Sequence, residues 1–465
     1  MKSGARAFVV ALFGFLSACG IYSPALVPPV IIVVNGALVP SGPPGSIVTI
    51  NGAEFGDQQG AGLVTFTPAG IGIPRIGPIT SPLNWTSGTI VTAVPDSAPV
   101  GLNVLTVTNG NALTSNTYAF TVTRAKFTPS GLTWSAGPGL PSAASGTGVA
   151  FAQVQNTNYV YAVGGAGAGG APTKAVYYST VGSNGTLSGW AATTPLPTPL
   201  AFAAVTAATQ FNSSVASNGF LYVVGGAKDA AGTPVTTVYQ AALSNDGTLG
   251  GWTTATNLPN ALRSVGAMVW YGSLFVVGGA GAGNVPVATV YRSPVQVTGS
   301  VSLNQQVSLP SPRARFGFGA SGLYLYVFGG DSASFAPNDS GVPSKRTATI
   351  FYGKLANNTH DVTLWTTAST SLPAPRSAET AVLQSNYALV LGGLYGATSS
   401  EAIYASLVPD GSLAVFTPSG ATIGRTLFNH AATGYLGSDT TFHVLVVGGD
   451  DVGAPGTLHA ETSRY

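Results

Sequence analysis

Two patterns of hydrophobic residues divide this chain. Between residues 45 and 123 apolar and polar positions alternate, as in Val48-Thr-Ile50-Asn-Gly52-Ala-Glu-Phe55-Gly56. A period of two sends successive side chains to opposite faces of a strand. Further strands are expected over 64–67, 89–94, 102–108 and 118–123, each followed by turn residues. Short strands at this spacing describe a small β-sandwich. Ahead of them, residues 21–44 are proline-rich around one β-branched run, Val30 to Val34, which reads as an extended tether leading into a first strand.

Beyond residue 124 the alternation gives way to continuous apolar runs that end in Gly-Gly. Six occur, closing at Gly164-Gly165, Gly225-Gly226, Gly278-Gly279, Gly329-Gly330, Gly392-Gly393 and Gly448-Gly449, at intervals of 51 to 63 residues. After each of the first five glycine pairs comes a variable loop and a strand ending in tyrosine, at Tyr178, Tyr239, Tyr291, Tyr352 and Tyr404. Turns such as Asn184-Gly185, Asp246-Gly247 and Asp410-Gly411 supply the positive φ of tight hairpins. An outer strand follows, expected at Trp190, Trp252, Val301–Val307, Trp365 and Leu413–Phe416, and Leu-Pro at 196, 258, 309 and 372 leads back inward. The ends of this array are offset. The last Gly-Gly is followed by a single strand over 458–465, while a spare tryptophan strand at Trp134 precedes the first, so residues 131–137 are expected to complete the last unit and close the ring.

The first region resembles the IPT/TIG immunoglobulin-like family in its V-T-I-x-G-x-x-F-G core, Trp85 with Ile90, and the closing Phe120 to Val122. That family's domain is usually a spacer or adhesive module. The second region resembles the kelch repeat. The fold class is therefore all-β: a small immunoglobulin-like β-sandwich over 29–124, then a six-bladed kelch β-propeller over 125–465 closed by an N-terminal strand. Radially packed blades bury both faces of their sheets, which accounts for a chain with only 7% charged residues.

Charge narrows the partners. With 17 Lys+Arg against 15 Asp+Glu there is no cationic surplus with which to neutralise phosphates, so nucleic acid is not an expected partner. The N-terminus, by contrast, points to a membrane. Lys2 and Arg6 precede an apolar stretch, and Leu16-Ser17-Ala18-Cys19 resembles the lipobox of bacterial lipoproteins. Residues 1–18 are then a signal peptide, Cys19 the lipidated first residue, and 19–28 a tether. In that family's sorting rule Gly20 implies the outer membrane. With Cys19 lipidated no thiol is left for a disulfide, zinc site or nucleophile. A galactose-oxidase-like copper cofactor, which needs a cysteine cross-linked to a tyrosine, is thereby excluded.

Candidate chemistry gathers on two loop sets expected on one face of the propeller. The loops after Leu-Pro carry Arg263, Arg313, Arg315, Arg376 and Arg425; those after Gly-Gly carry Asp331 and Asp450. Guanidinium forks facing carboxylates suit a carboxylate or a polyhydroxylated sugar, and Arg313, Arg376, Arg425, Asp331 and Asp450 are the chosen candidates. The same arginines also fit a scaffold role, bonding carbonyls of the adjacent blade. His360, His430, His443 and His459 lack metal spacing, and no cofactor or metal is expected. The first reading is a monomeric, lipid-anchored surface protein that binds a protein or glycan. The alternative is a carbohydrate-active enzyme similar to the six-bladed kelch mutarotases, with Glu379, Arg376 and His430 at the channel mouth.

Overall fold

A computed structural model describes residues 27–464 apart from short segments, the longer being 124–128, 210–217 and 336–344, and describes the backbone alone from 451 onward. The lipobox lies outside the described residues. Every regular element among the described residues is a strand or a short 3-10 turn.

The N-terminal domain is a sandwich of two sheets. One holds Val30–Val34, Ile47–Ala53 and Thr89–Ala93; the other holds Ser41–Gly42, Tyr118–Val122, Gly101–Thr108, Leu63–Pro68 and Arg75–Ile76. Ser41–Gly42 runs parallel to its neighbour Tyr118–Val122. The alternating residues of both sheets meet in one core around Phe55, Phe66, Trp85 and Phe120. The Trp85 indole N–H is satisfied by the Phe55 carbonyl at 3.0 Å, so its burial costs no hydrogen bond.

Six four-stranded antiparallel sheets follow. Blade 1 is Gly148–Val154, Thr157–Val163, Val176–Val181 and Ala191–Ala192; blade 2 is Ala204–Thr209, Gly219–Val224, Val235–Ala242 and Thr253–Leu262. Blade 3 is Gly266–Trp270, Ser273–Val277, Val290–Pro294 and Asn304–Gln305; blade 4 is Gly317–Ser321, Tyr324–Phe328, Ile350–Leu355 and Val362–Thr367. Blade 5 is Thr380–Gln384, Tyr387–Leu391, Glu401–Ser406 and Thr417–Thr422; blade 6 is Ala431–Leu436, Phe442–Val447, Thr462–Arg464 and Ser135–Gly137. Hydrophobic clusters fill each interface between successive blades, including that between blades 6 and 1. Second strands such as Gly219–Val224 are buried at every position, which is why they read as unbroken apolar runs.

The blades are laced by two backbone circuits. Each inner strand is entered through a turn whose third residue has a left-handed backbone: Gly146, Phe202, Ser264, Arg315, Ala378 and Asn429, with φ between 51° and 61°. Each of these residues donates its N–H to the carbonyl of the equivalent residue in the preceding blade, at 2.6–3.4 Å, and Gly146 donates to Asn429 to close the circle. In the second circuit the second glycine of every Gly-Gly pair donates to the first residue of the next blade's entry turn, at 2.8–3.0 Å. This explains the glycines. A Cβ on Gly164 would stand 2.3 Å from the Leu200 carbonyl oxygen, and Gly164 itself has φ +63°.

Closure is as expected in kind and narrower in extent. Ser135–Gly137 pairs antiparallel with Thr462–Arg464, while Leu132 and Leu140 on either side are buried in the 5/6 and 6/1 interfaces. Ala454–Leu458 belongs instead to a separate small sheet with Asp450–Asp451 and Leu427–Phe428. The outer strands of blades 1, 2 and 5 begin after the expected positions, at Ala191, Thr253 and Thr417, whereas Trp365 lies within Val362–Thr367 as expected; the Trp190, Trp252 and Trp365 indoles donate to the carbonyls of Pro138, Thr194 and Val307 in the preceding repeat.

A chain beginning at residue 143 lacks the fourth strand of blade 6 and both flanking leucines. Compared with one beginning at residue 125, it is expected to melt at lower temperature and to self-associate through two freed sheet edges. Calorimetry and sedimentation velocity check this; equal melting and a monomeric species would refute it.

Candidate functional site

The entry turns and the Gly-Gly loops share one face of the propeller, and their registers determine where each candidate residue points. The first residue of the entry turn is Ala144, Leu200, Leu262, Arg313, Arg376 or Leu427 in blades 1 to 6, and all six are buried. Three leucines at this position show that it faces sideways into the interface. Arg313 follows suit: its Nη1 donates to Ser311 Oγ and the Pro312 carbonyl, both at 2.8 Å, and its guanidinium lies 4.7 Å from the Phe351 ring. Arg376 donates to the Gly392 carbonyl at 3.2 Å, covers Tyr395 at 4.5 Å and has the Glu401 carboxylate 3.7 Å away.

The two aspartates stitch blades together. Asp331 and Asp450 each follow a Gly-Gly pair, and each accepts from the third entry-turn residue of its own blade. Asp331 accepts from Arg315 Nε at 2.6 Å and has Ser377 of blade 5 beside it. Asp450 accepts from Asn429 at 3.4 Å and, across the closure, from the Ser145 hydroxyl of blade 1. Burial pushes the Asp331 carboxyl above its ordinary range, and Arg315 draws it back. Arg313, Arg376, Asp331 and Asp450 do share one face, yet their polar atoms turn into the interfaces; Arg425 lies outside the described residues.

A different cation stands out. Arg263, the second entry-turn residue of blade 3, is 1% exposed, its buried Nε has no hydrogen-bond partner, and no ion pair to it occurs among the described residues. Its guanidinium lies between the rings of Phe202 and Phe335, 5.3 Å from each, and Phe335 is shared with Arg315 at 4.1 Å. Burial, aided by repulsion from Arg315, lowers the Arg263 pKa to about 10, so the group stays charged at neutral pH. A buried charge without a counter-ion costs several kcal/mol. The Leu-Pro pattern gave no means of ranking Arg263 above its neighbours, and Phe202 and Phe335 carried no sequence signal, since their meeting depends on two blades.

Glu379 and His430 take the fourth entry-turn position in blades 5 and 6. Each reaches back toward the preceding blade: Glu379 Oε1 accepts from the Gly317 N–H at 3.4 Å, and His430 Nε2 is 3.0 Å from Thr380 Oγ1. They therefore occupy successive interfaces and share no pocket. Burial pushes Glu379 up to about 8 and His430 down to about 4, leaving both neutral near pH 7. No cluster of three potential metal ligands occurs among the described residues.

These shifts set a pH dependence. The Glu379 carboxyl ionises near 4.5 in the unfolded chain and near 8 in the folded one, so its burial is harmless below pH 4.5 and costs progressively more up to pH 8. Glu379→Gln should leave stability nearly unchanged at pH 4.5 and raise it increasingly to a plateau above pH 8. Melting temperatures of both proteins across that range test this, and a pH-independent difference would contradict it.

No protein-family model matches the chain, and no curated protein matches it. Among solved structures, that of YjhT, a kelch-repeat β-propeller protein, aligns over 70% of this chain and 95% of its own, with a TM-score of 0.50 and 14% sequence identity. At that identity the likeness carries the fold: the second region is a kelch-type propeller.

Proposed function

We propose that this protein is a lipid-anchored binding protein of the bacterial cell envelope, held in the outer membrane through Cys19, whose propeller recognises a carboxylate-bearing protein or glycan on its Gly-Gly face. The IPT/TIG-like domain acts as its spacer. The observation that carries the reading is Arg263: a charged guanidinium, stacked between two aromatic rings beside a second arginine, with no anion of the described chain to meet it. A ligand carboxylate would supply paired charge-assisted hydrogen bonds in a fork geometry that lysine lacks. The position of the N-terminal domain agrees, since it packs on the opposite face, where Gln384 donates to the Pro44 carbonyl at 3.3 Å. The enzymatic alternative has less support, because His430 bonds to Thr380 of blade 5 while Glu379 bonds to Gly317 of blade 4, so the imidazole lies one interface away from the Glu379–Arg376 pair.

Two variants test the reading. Arg263→Met keeps the packing of the stem and removes the charge; it should weaken binding of a uronic-acid oligosaccharide by about 1.5–3 kcal/mol, while the melting temperature holds or rises. Calorimetric titration, with the methyl-esterified oligosaccharide as uncharged control, measures this, and unchanged affinity would move the site away from Arg263. Cys19→Ala should abolish incorporation of a fatty-acid probe and release the protein from the membrane fraction; equal labelling would end the anchoring claim.

A further inference from the structure

The central channel is a second, chemically opposite compartment. A cavity of about 410 Å³ runs along the propeller axis, lined by the inner strands of all six blades and, at one end, by residues of the N-terminal sandwich including Ile76 and Pro95. Its other end meets the circle of six hydrogen-bonded entry-turn residues, from Gly146 to Asn429. That circle draws six backbones together across the axis at the end away from the sandwich.

Among the described residues its wall carries no Asp, Glu, Lys, Arg or His. Phe151, Met268, Trp270, Phe318 and Leu383 stay only partly buried although they sit on the innermost strands. Two polar side chains of the wall are engaged: the Trp270 indole donates to the Gly322 carbonyl at 2.9 Å, and the Thr206 hydroxyl accepts the Val269 N–H at 2.9 Å. The Phe151 ring is stacked on Tyr435 at 4.9 Å, which fixes a flat aromatic wall. Aromatic and aliphatic surface left concave at a domain boundary, with a volume inside the ~300–1,000 Å³ range of small-molecule sites, is the usual form of a pocket for an apolar ligand. An ionised ligand would lose its hydration there and find no partner charge.

From this we infer that the channel binds an uncharged hydrophobic small molecule, an alkyl chain or fused-ring compound, inserted from the side of the N-terminal domain. The site is independent of the arginine face. The probe is N-phenyl-1-naphthylamine, which is neutral and fluoresces in apolar surroundings, titrated into the full chain. Saturable binding of one probe per protein is expected. Ala207→Phe and Ala267→Leu, which place extra carbons on the lining, should each weaken it at least tenfold, and Arg263→Met should leave it unchanged. Dodecanol should displace the probe at least tenfold more effectively than dodecanoate at pH 8. A saturating probe should also raise the melting temperature of the wild-type protein, a readout that needs no variant to fold. Non-saturable fluorescence, equal competition by dodecanoate, retained affinity in both filled variants, or no thermal shift would each overturn the inference.

Discussion

Six residues in a left-handed backbone conformation, each donating to the last, hold this propeller at its axis. Only Gly146 among them is a glycine; Phe202, Ser264, Arg315, Ala378 and Asn429 adopt a conformation that costs an ordinary residue on the order of 1–3 kcal/mol. Each turn is therefore held where it is by its neighbours on both sides. With the third residue of every entry turn fixed, the first must face sideways into the blade interface and the fourth must pack on the second glycine of its own blade. The Cβ distances bear this out: a side chain on Gly165, Gly226, Gly279, Gly330, Gly393 or Gly449 would meet Thr147, Ala203, Val265, Phe316, Glu379 or His430 within 3 Å.

That geometry explains how a charge-poor chain disposes of its few ionisable groups. At the first and fourth entry-turn positions the blades need bulk, and leucine, arginine, glutamate and histidine all provide it. The charged ones are tolerated because a carbonyl, a ring or a shift to the neutral form offsets the loss of water. Arg376 combines the first two, Glu379 and His430 use the third. Arg263 stands apart in having rings and no acceptor, and this sets it aside from the arginines that serve as interface filling.

Most of the architecture was legible in the sequence because it is written locally. A Gly-Gly pair, an Asn-Gly or Asp-Gly turn and a tryptophan each specify a backbone event within a few residues, and the offset at the two ends of the array gave the closure. The site was less legible. Leu-Pro-x-x-Arg at 309–313 and 372–376 suggested arginines gathered around a mouth, whereas Leu-Pro-x-x-Leu at 196–200 and 258–262 held the signal that this position is an interface one. Side-chain direction there is set by the adjoining blade, which no local pattern encodes. Packing of the N-terminal sandwich over the channel likewise has no sequence marker, being a match between Ile76, Pro95 and the ends of strands hundreds of residues later.

The pairing of Ser135–Gly137 with Thr462–Arg464 also has a consequence in time. Some 325 residues separate the two strands, and at about 5–20 residues per second a ribosome takes on the order of 15–65 s to make them. Throughout that interval five blades can assemble in order while the first strand of the series has no partner and the circle of backbone bonds stays broken between Asn429 and Gly146. The nascent chain is then an open arc with two unpaired sheet edges until residues 462–464 are available to pair, so a premature stop just before them would leave the ring as open as one in the middle of the array.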